Sequence, residues 1–157
     1  MTTPDDVGLV GFAELSATAV RARLLDAHDR FWDADARTLH HPVWFHQFGG
    51  FGALARTSGG EDVGYVLGVV TAERLASLHL LAVRADRRRS GLGRRLCRWF
   101  DDLAVSTGAR VVQAVARPDN TAAVAFHTAL GASAHLSRDH AGPGADRVVL
   151  TRSLPAA

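Results

Sequence analysis

The sequence predicts a mixed α/β fold in which one sheet carries helices on both faces. Apolar runs rich in valine and leucine alternate along the chain with segments whose apolar residues recur at helical spacing. Short connections rich in glycine, proline or aspartate separate these segments, and no repeat or linker interrupts them. A length of 157 residues with 47% hydrophobic and 22% charged residues suits one domain, over residues 1–157, that closes its own core.

The first half of the chain predicts a strand, a helical region and a hairpin. The strand covers "VGLVGFAEL" (7–15), and Ser16 suits the N-cap of a helical region that reaches about Trp32. The segment that follows, "TLHHPVWFHQFGG" (38–50), fits no period. The hairpin joins "FGALAR" (51–56) to "DVGYVLGVVTA" (62–72) through the turn signal "TSGGE".

The second half predicts three strands and two helices. The strands cover "ASLHLLAV" (76–83), "ARVVQAVA" (109–116) and "ADRVVLTRSL" (145–154), of which the first is mostly apolar and therefore central. Apolar residues at helical spacing from Leu92 to Leu103 predict a helix that ends before Gly108. The turn "RPDN" (117–120) leads into a second helix, which Gly131 ends. Its core stripe is predicted to be Ala122, Phe126 and Leu130.

Composition narrows the classes of function. All 18 basic residues are arginines, and against 16 acidic residues they leave a net charge of only +2, which does not indicate a nucleic-acid binder. A single cysteine, Cys97, excludes an internal disulfide and a multi-cysteine zinc site. The N-terminus has no secretory pattern, and the apolar stretch "VGYVLGVV" (63–70) is too short for a membrane span. We therefore expect a cytoplasmic protein that binds neither nucleic acid nor a membrane.

A glycine loop inside a cluster of arginines carries the strongest functional signal. The segment "RRRSGLGRRL" (87–96) lies between a predicted strand and a predicted helix, so backbone N–H groups and the positive end of the helix would face the loop. This arrangement predicts an anion site. A dinucleotide site would need G-x-G-x-x-G near the first strand, and a P-loop would need G-K-[ST]; the sequence has neither.

The loop matches the pattern R-x-x-G-x-G over residues 88–93, and "RPDNTAAVAFHTALGA" (117–132) resembles a second signature of the same enzymes. On these residues, the chain is identified as a member of the GNAT N-acetyltransferase superfamily, of the bacterial kind, with a likeness that covers most of the chain from about Phe51. The resemblance implies a mostly antiparallel twisted sheet of six to seven strands. It also implies acetyl-CoA as cosubstrate and no metal.

The resemblance further implies which residues bind acetyl-CoA. The backbone of β-strand residues 81–83 would pair with the pantetheine arm, and the backbone amides from Arg89 to Arg94 would hold the pyrophosphate. Asn120 resembles an asparagine that contacts the pantetheine, although a helix N-cap is its plainer interpretation. The implied set is Leu81, Ala82, Val83, Arg88, Arg89, Ser90, Gly91, Leu92, Gly93, Arg94, Asn120 and His127.

Two histidines are the candidates for proton transfer, which amine acetylation requires. His127 occupies the position where most relatives carry a tyrosine that protonates the departing thiolate. His79 resembles the imidazole that accepts the amine's proton in the arylalkylamine acetyltransferase branch, whereas many relatives have a glutamate at the position of Ser77. A hydrogen-bonded core histidine is the alternative for His79.

The acceptor stays open at this stage. The first 50 residues match the family least, as is usual where such enzymes build their acceptor pocket, and His40, His41, Trp44, His46 and Phe48 are candidates to line it. No carboxylate stands at ligand spacing from these histidines, which argues against a metal. The leading prediction is transfer to the primary amine of a small molecule by direct attack in a ternary complex. The alternatives are a protein lysine or N-terminus, and an acyl-CoA-binding module without turnover, in a monomer or homodimer.

Overall fold

The computed structural model describes residues 6–156 and divides into two compact units. The first unit contains the chain up to Val69 together with Leu80–Leu103, and the second contains Val70–His79 together with the chain from Ala104. The strand Leu75–Val83 belongs to both, because its first residues lie in the second unit and its last residues in the first.

Seven strands and five α-helices make up the regular structure of the described chain. The strands are β1 (Val7–Gly11), β2 (Ala53–Thr57), β3 (Asp62–Val70), β4 (Leu75–Val83), β5 (Val111–Ala116), β6 (Ser133–Ser137) and β7 (Arg147–Ser153). The helices are α1 (Ala17–Asp26), α2 (His28–Phe31), α3 (Val43–His46), α4 (Leu92–Ser106) and α5 (Thr121–Ala129). The seven strands form one sheet in the order β1-β2-β3-β4-β5-β7-β6, in which β4 and β5 are parallel. Since β1–β2, β2–β3, β5–β7 and β6–β7 are antiparallel, the predicted fold class is confirmed.

The predicted elements differ from the structure mainly at their ends. The predicted helix that reaches Trp32 is two helices, because Ala27 leaves helical geometry between α1 and α2. The side chain of Ser16 accepts a hydrogen bond from the Ala19 N–H, as its predicted N-cap role requires. Strand β6 was missed: "SAHLS" has no β-branched or aromatic residue, and its pairing with β7 makes it a strand.

In the first unit, helices cover both faces of the sheet. One face packs on α1 and α2 through a cluster of buried residues: Phe12, Val20, Leu24, Phe31, Phe45, Leu54, Tyr65, Leu67, Leu80 and Ala82. On the other face, α4 approaches β3 so closely that a Cβ on Gly64 would lie 3.0 Å from the Leu96 side chain. A Cβ there would also lie 3.1 Å from the Ala82 carbonyl oxygen, so glycine allows this close packing of β3 against β4 and α4.

In the second unit, the predicted core stripe of α5 is wrong. No residue of α5 is buried; Ala122 is exposed, and Phe126 and Leu130 are only half-buried. The physical reason is the position of the neighbouring strand, since β6 is the last strand of the sheet and four of its five residues are exposed. Apolar spacing alone cannot distinguish a helix over the centre of a sheet from one over its edge.

No helix among residues 6–156 combines the length and the apolar character that a membrane crossing requires.

A buried hydrogen-bonded network fixes the aromatic segment of the first unit. His40 is 1% exposed, with Nδ1 2.8 Å from the carbonyl oxygen of Ala36 and Nε2 2.6 Å from the hydroxyl of Tyr65. Because a carbonyl only accepts, Nδ1 carries the proton, and in neutral His40 the Tyr65 hydroxyl donates to Nε2. Tyr65 accepts in turn from Nε1 of Trp32 at 2.7 Å. Burial raises the pKa of Tyr65, which therefore stays protonated.

We expect replacement of His40 to lower the stability of the fold measurably. His40→Phe keeps a ring of similar size but removes the donor to the Ala36 carbonyl and the acceptor of the Tyr65 proton. We expect the free energy of unfolding to fall by about 2 kcal/mol, since buried polar groups left unpaired cost roughly 1–3 kcal/mol each. Urea denaturation measures the change. His46→Phe, at an exposed position, is the control, and equal stabilities of the two variants would contradict the network's role.

Candidate active site

The glycine loop connects a short turn to the N-terminus of α4. Ala85–Arg87 forms a 3-10 turn, Arg88 is extended, and α4 begins at Leu92. Between them, Arg89 has φ +62° and Gly91 has φ +82°. A left-handed arginine is a strained conformation, and such strain is typical of loops that bind ligands. A Cβ on Gly91 would meet no atom within 4 Å, so the space beside the loop is open.

The predicted loop residues are accessible from solvent. Arg89, Ser90, Gly91 and Arg94 are exposed, Gly93 is half-buried in the first turn of α4, and Leu92 is buried. The 15-residue helix α4 directs its N-terminal N–H groups toward this end. The arginine cluster and the helix terminus can therefore attract an anion together.

At the end of β4, two of the three residues predicted to pair with pantetheine direct their backbone groups away from β3. The N–H of Arg84 donates to the carbonyl of Val63 on β3, and the Ala82 carbonyl lies against Gly64 of the same strand. Because backbone groups alternate along a strand, those of Leu81 and Val83 face the opposite edge. Leu81 thus offers hydrogen bonds to a ligand there, as does the N–H of Val83, whose carbonyl lies 3.3 Å from Nε of Arg88. Ala82 is directed toward β3.

A buried arginine that sequence reasoning missed supports the turn before the loop. Arg84 is 4% exposed, and its Nε and Nη2 donate to the two carboxylate oxygens of Asp86 at 2.6 and 2.9 Å. A third nitrogen, Nη1, lies 3.5 Å from Glu61. The hydrogen bond from Arg84 lowers the pKa of Asp86, and Asp86 raises the pKa of Arg84. Both residues look like ordinary surface charges in the sequence, so no local signal distinguishes them.

We expect the ion pair of Arg84 and Asp86 to contribute to stability in a pH-dependent way. The pKa of Asp86 is lower in the folded chain than in the unfolded chain, so its contribution is fully present above the unfolded value and is lost as pH falls through the folded value. We expect Asp86→Asn to lower the free energy of unfolding at pH 7 by about 1 kcal/mol, a small value because Asp86 is mostly exposed. Urea titrations of both proteins should converge under acidic conditions. A difference that persists unchanged in acid would exclude ionisation as its cause.

In the second unit, the residues of β4 alternate between the two faces of the sheet, as predicted. Ser77 and His79 are half-buried on one face, while Ala76 and Leu78 are buried on the other. The parallel pairing of β4 with β5 runs from Leu75 opposite Val111 to Leu78 opposite Ala114, and so ends one residue before His79.

His127 lies on the other face of the same strands. It lines a small cavity with Leu78, Ala114 and Leu150, which belong to the face opposite His79. The two imidazoles therefore approach the sheet from opposite sides. Both histidines make interactions of their own within the chain.

Asn120 is the N-cap of α5. Its side-chain oxygen accepts a hydrogen bond from the Ala123 N–H at 3.2 Å, which is the plainer of the two interpretations weighed from the sequence. The residue is exposed, so its amide nitrogen can still contact a ligand. Cys97, in contrast, is 2% exposed in α4 and is inaccessible as a nucleophile.

The candidate acceptor residues separate into buried and accessible ones. His40 belongs to the core network and cannot line a pocket. Trp44 and Phe48 are half-buried, with ring centroids 5.4 Å apart, and His41 and His46 are exposed. Within residues 6–156, no group of three or more histidine, cysteine or acidic side chains is arranged to hold a metal ion.

Comparison with known proteins finds solved structures that share this fold. Solved structures with the same fold include Ard1 from Thermoplasma volcanium, at 18% identity and a TM-score of 0.73 over 96% of this chain and 99% of that one. The ribosomal-protein-S18-alanine N-acetyltransferase from Escherichia coli is 19% identical, with a TM-score of 0.70 over 96% of both chains. A GNAT superfamily phosphinothricin acetyltransferase from Sinorhizobium meliloti, solved in complex with AcCoA, is 16% identical, with a TM-score of 0.71 over 95% of this chain and 89% of that one.

At such identities these likenesses establish the fold alone. No curated protein matches the sequence. The sequence pattern of the acetyltransferase (GNAT) family, however, matches residues 8–132, which include the glycine loop, the alternating strand β4 and helix α5. The chain therefore belongs to the GNAT acetyltransferase family.

Proposed function

We propose that the protein is an N-acetyltransferase that moves the acetyl group of acetyl-CoA to the primary amine of a small molecule, by direct attack in a ternary complex. The observation that carries the proposal is the glycine loop: exposed, arginine-rich, bent through left-handed residues and joined to the N-terminus of a long helix. The phosphinothricin acetyltransferase of the same fold was solved with AcCoA. We expect the present chain to be a bacterial enzyme of this kind.

In this proposal, the first unit binds the cosubstrate. The backbone amides from Arg89 to Arg94, with the Arg89 and Arg94 side chains, hold the pyrophosphate, and the edge of β4 at Leu81 and Val83 pairs with the pantetheine arm. The exposure of the loop and the direction of these backbone groups support both assignments. Asn120 stays a candidate CoA contact from the family resemblance, through its side-chain amide nitrogen.

The chemistry requires a base for the amine, stabilisation of the carbonyl oxygen and a proton for the thiolate. His79 takes the proton of the amine, and His127 returns one to the thiolate. The pairing of β4 with β5 ends just before His79, which makes the strand edge accessible at that level.

Transfer to a protein N-terminus is the second candidate. It is favoured by one comparison, since the fold is shared with an enzyme named for the alanine N-acetylation of a ribosomal protein. The small-molecule assignment rests on the short aromatic segment around Trp44 and Phe48, whose half-buried rings offer an apolar wall to a compact amine.

Thiol release from acetyl-CoA tests these possibilities directly. Purified protein is supplied with acetyl-CoA and either a panel of small primary amines or peptides with free N-termini and lysines, and free CoA is followed with a thiol reagent. Release that depends on a small amine is the expected result. Release that depends on peptides alone would establish the second candidate, and acetyl-CoA binding without release to any acceptor would indicate a module without turnover.

A further inference from the structure

Segment 32–36 lacks regular secondary structure, yet it is held by bonds from several elements of the first unit. The indole N–H of Trp32 donates to Tyr65, and Asp35 accepts from the backbone N–H of Arg37 at 3.0 Å. The N–H of Ala36 donates to Nε2 of His28 at 3.0 Å, while its carbonyl accepts from His40. Trp32 is half-buried and Ala36 is buried, so these bonds fix the two ends of the segment, whereas residues 33–35 are exposed.

Arg88 joins this segment to the glycine loop. From its place at the start of the loop, Nη2 donates to the carbonyl of Phe31 at 2.9 Å, and Nη1 contacts the Asp33 carboxylate at 3.3 Å. Its Nε lies 3.3 Å from the Val83 carbonyl at the end of β4. All three nitrogens of one guanidinium are therefore directed toward acceptors in two separate parts of the chain.

This geometry decides between two roles for Arg88. A phosphate ligand needs its N–H groups directed into the open space beside the loop, whereas those of Arg88 are directed toward Phe31, Asp33 and Val83. The pair with Asp33 contributes little by itself, because Asp33 is 88% exposed. The two carbonyls set the orientation, and a planar fork can reach both acceptors at once, which an ammonium group cannot.

We propose that Arg88 is a positioning residue, whose side chain holds Phe31 and Asp33, in the part of the chain where the acceptor pocket is expected, at a set distance from the glycine loop. It does not bind the pyrophosphate, although it occupies the first position of R-x-x-G-x-G. The inference rests on the proposed function, because that proposal supplies the roles of the pocket and the loop.

Arg88→Met, Arg88→Lys and the control Arg98→Met, at an exposed position of α4 outside the loop, test the proposal through three measurements. The first is hydrogen exchange of the peptide covering 31–36, the second is the Kd of CoA by calorimetry, and the third is the KM of the best amine. For both Arg88 variants we expect faster exchange at 31–36, an amine KM raised by about tenfold and a CoA Kd changed by less than about twofold. Arg98→Met should resemble the wild type in all three.

The contrary result is equally specific. If Arg88→Met weakens CoA binding by about tenfold or more, Arg88→Lys restores it by charge alone, and exchange at 31–36 stays at the wild-type rate, then Arg88 is a phosphate ligand. Unchanged exchange in both Arg88 variants overturns the proposal whatever CoA does. A wild-type protein that fails to bind CoA would refute the proposed function instead, and the exchange measurement still decides whether Arg88 holds the segment.

Discussion

Gly91→Asp should weaken CoA binding by about 100-fold, close to 3 kcal/mol, while the protein stays folded. No protein atom lies within 4 Å of the position a Cβ would take, so the new side chain enters open space, which is the space assigned to the pyrophosphate. Its negative charge then repels the anion at short range. Aspartate tolerates left-handed geometry better than most residues, so the strain that φ +82° imposes is smaller than for most other substitutions.

Two controls separate charge from strain. Gly91→Asn introduces a side chain of the same size without the charge, and we expect it to lose much less affinity. Gly60→Asp places the same residue at φ +86° in the β2–β3 turn, where a Cβ also meets no atom within 4 Å. Calorimetry measures the Kd of CoA. Thermal shifts compare the stabilisation by CoA with that by NAD and ATP, which should raise the melting temperature less. CoA affinity in Gly91→Asp equal to the wild type would remove the loop from the site.

The second large effect concerns proton transfer. His79→Ala should lower kcat by about 100-fold or more, the scale of general base catalysis, with CoA affinity retained. The wild-type kcat profile should be bell-shaped near neutrality, because one imidazole must be neutral to accept a proton while the other is charged to donate one. His79→Ala should therefore remove the acidic limb of that profile.

Substitutions at His127 test the acid. His127→Tyr should keep activity and move the alkaline limb upward, since a phenol stays protonated to about pH 10. His127→Phe should lower kcat and lose that limb. A His127→Phe enzyme with unchanged kcat and an unchanged alkaline limb would exclude His127 as the acid and leave it a packing residue beside Leu78 and Leu150.

Much of the fold could be predicted because its signals are local. The alternation in "ASLHLLAV" places His79 and Ser77 on one face of β4, which the structure confirms, since a strand repeats every two residues. Gly91 has the left-handed φ that glycine favours, and Ser16 and Asn120 are the N-caps of α1 and α5. Strand β6 could not be predicted in this way, because only its pairing with β7 gives it an extended conformation.

The sequence by itself determined most of the strands and the two longest helices, the glycine loop at the start of α4 and, through the family pattern, the GNAT family of the chain. Tertiary structure alone decided that His40 is a core residue and that α5 lies at an open edge of the sheet. It also decided that Arg88 contacts Phe31, 57 residues earlier in the chain. The physical reason is range. Backbone sterics and hydrophobic periodicity act over a few residues, whereas the partner of a buried or bridging polar group depends on which distant segment the folded sheet brings beside it.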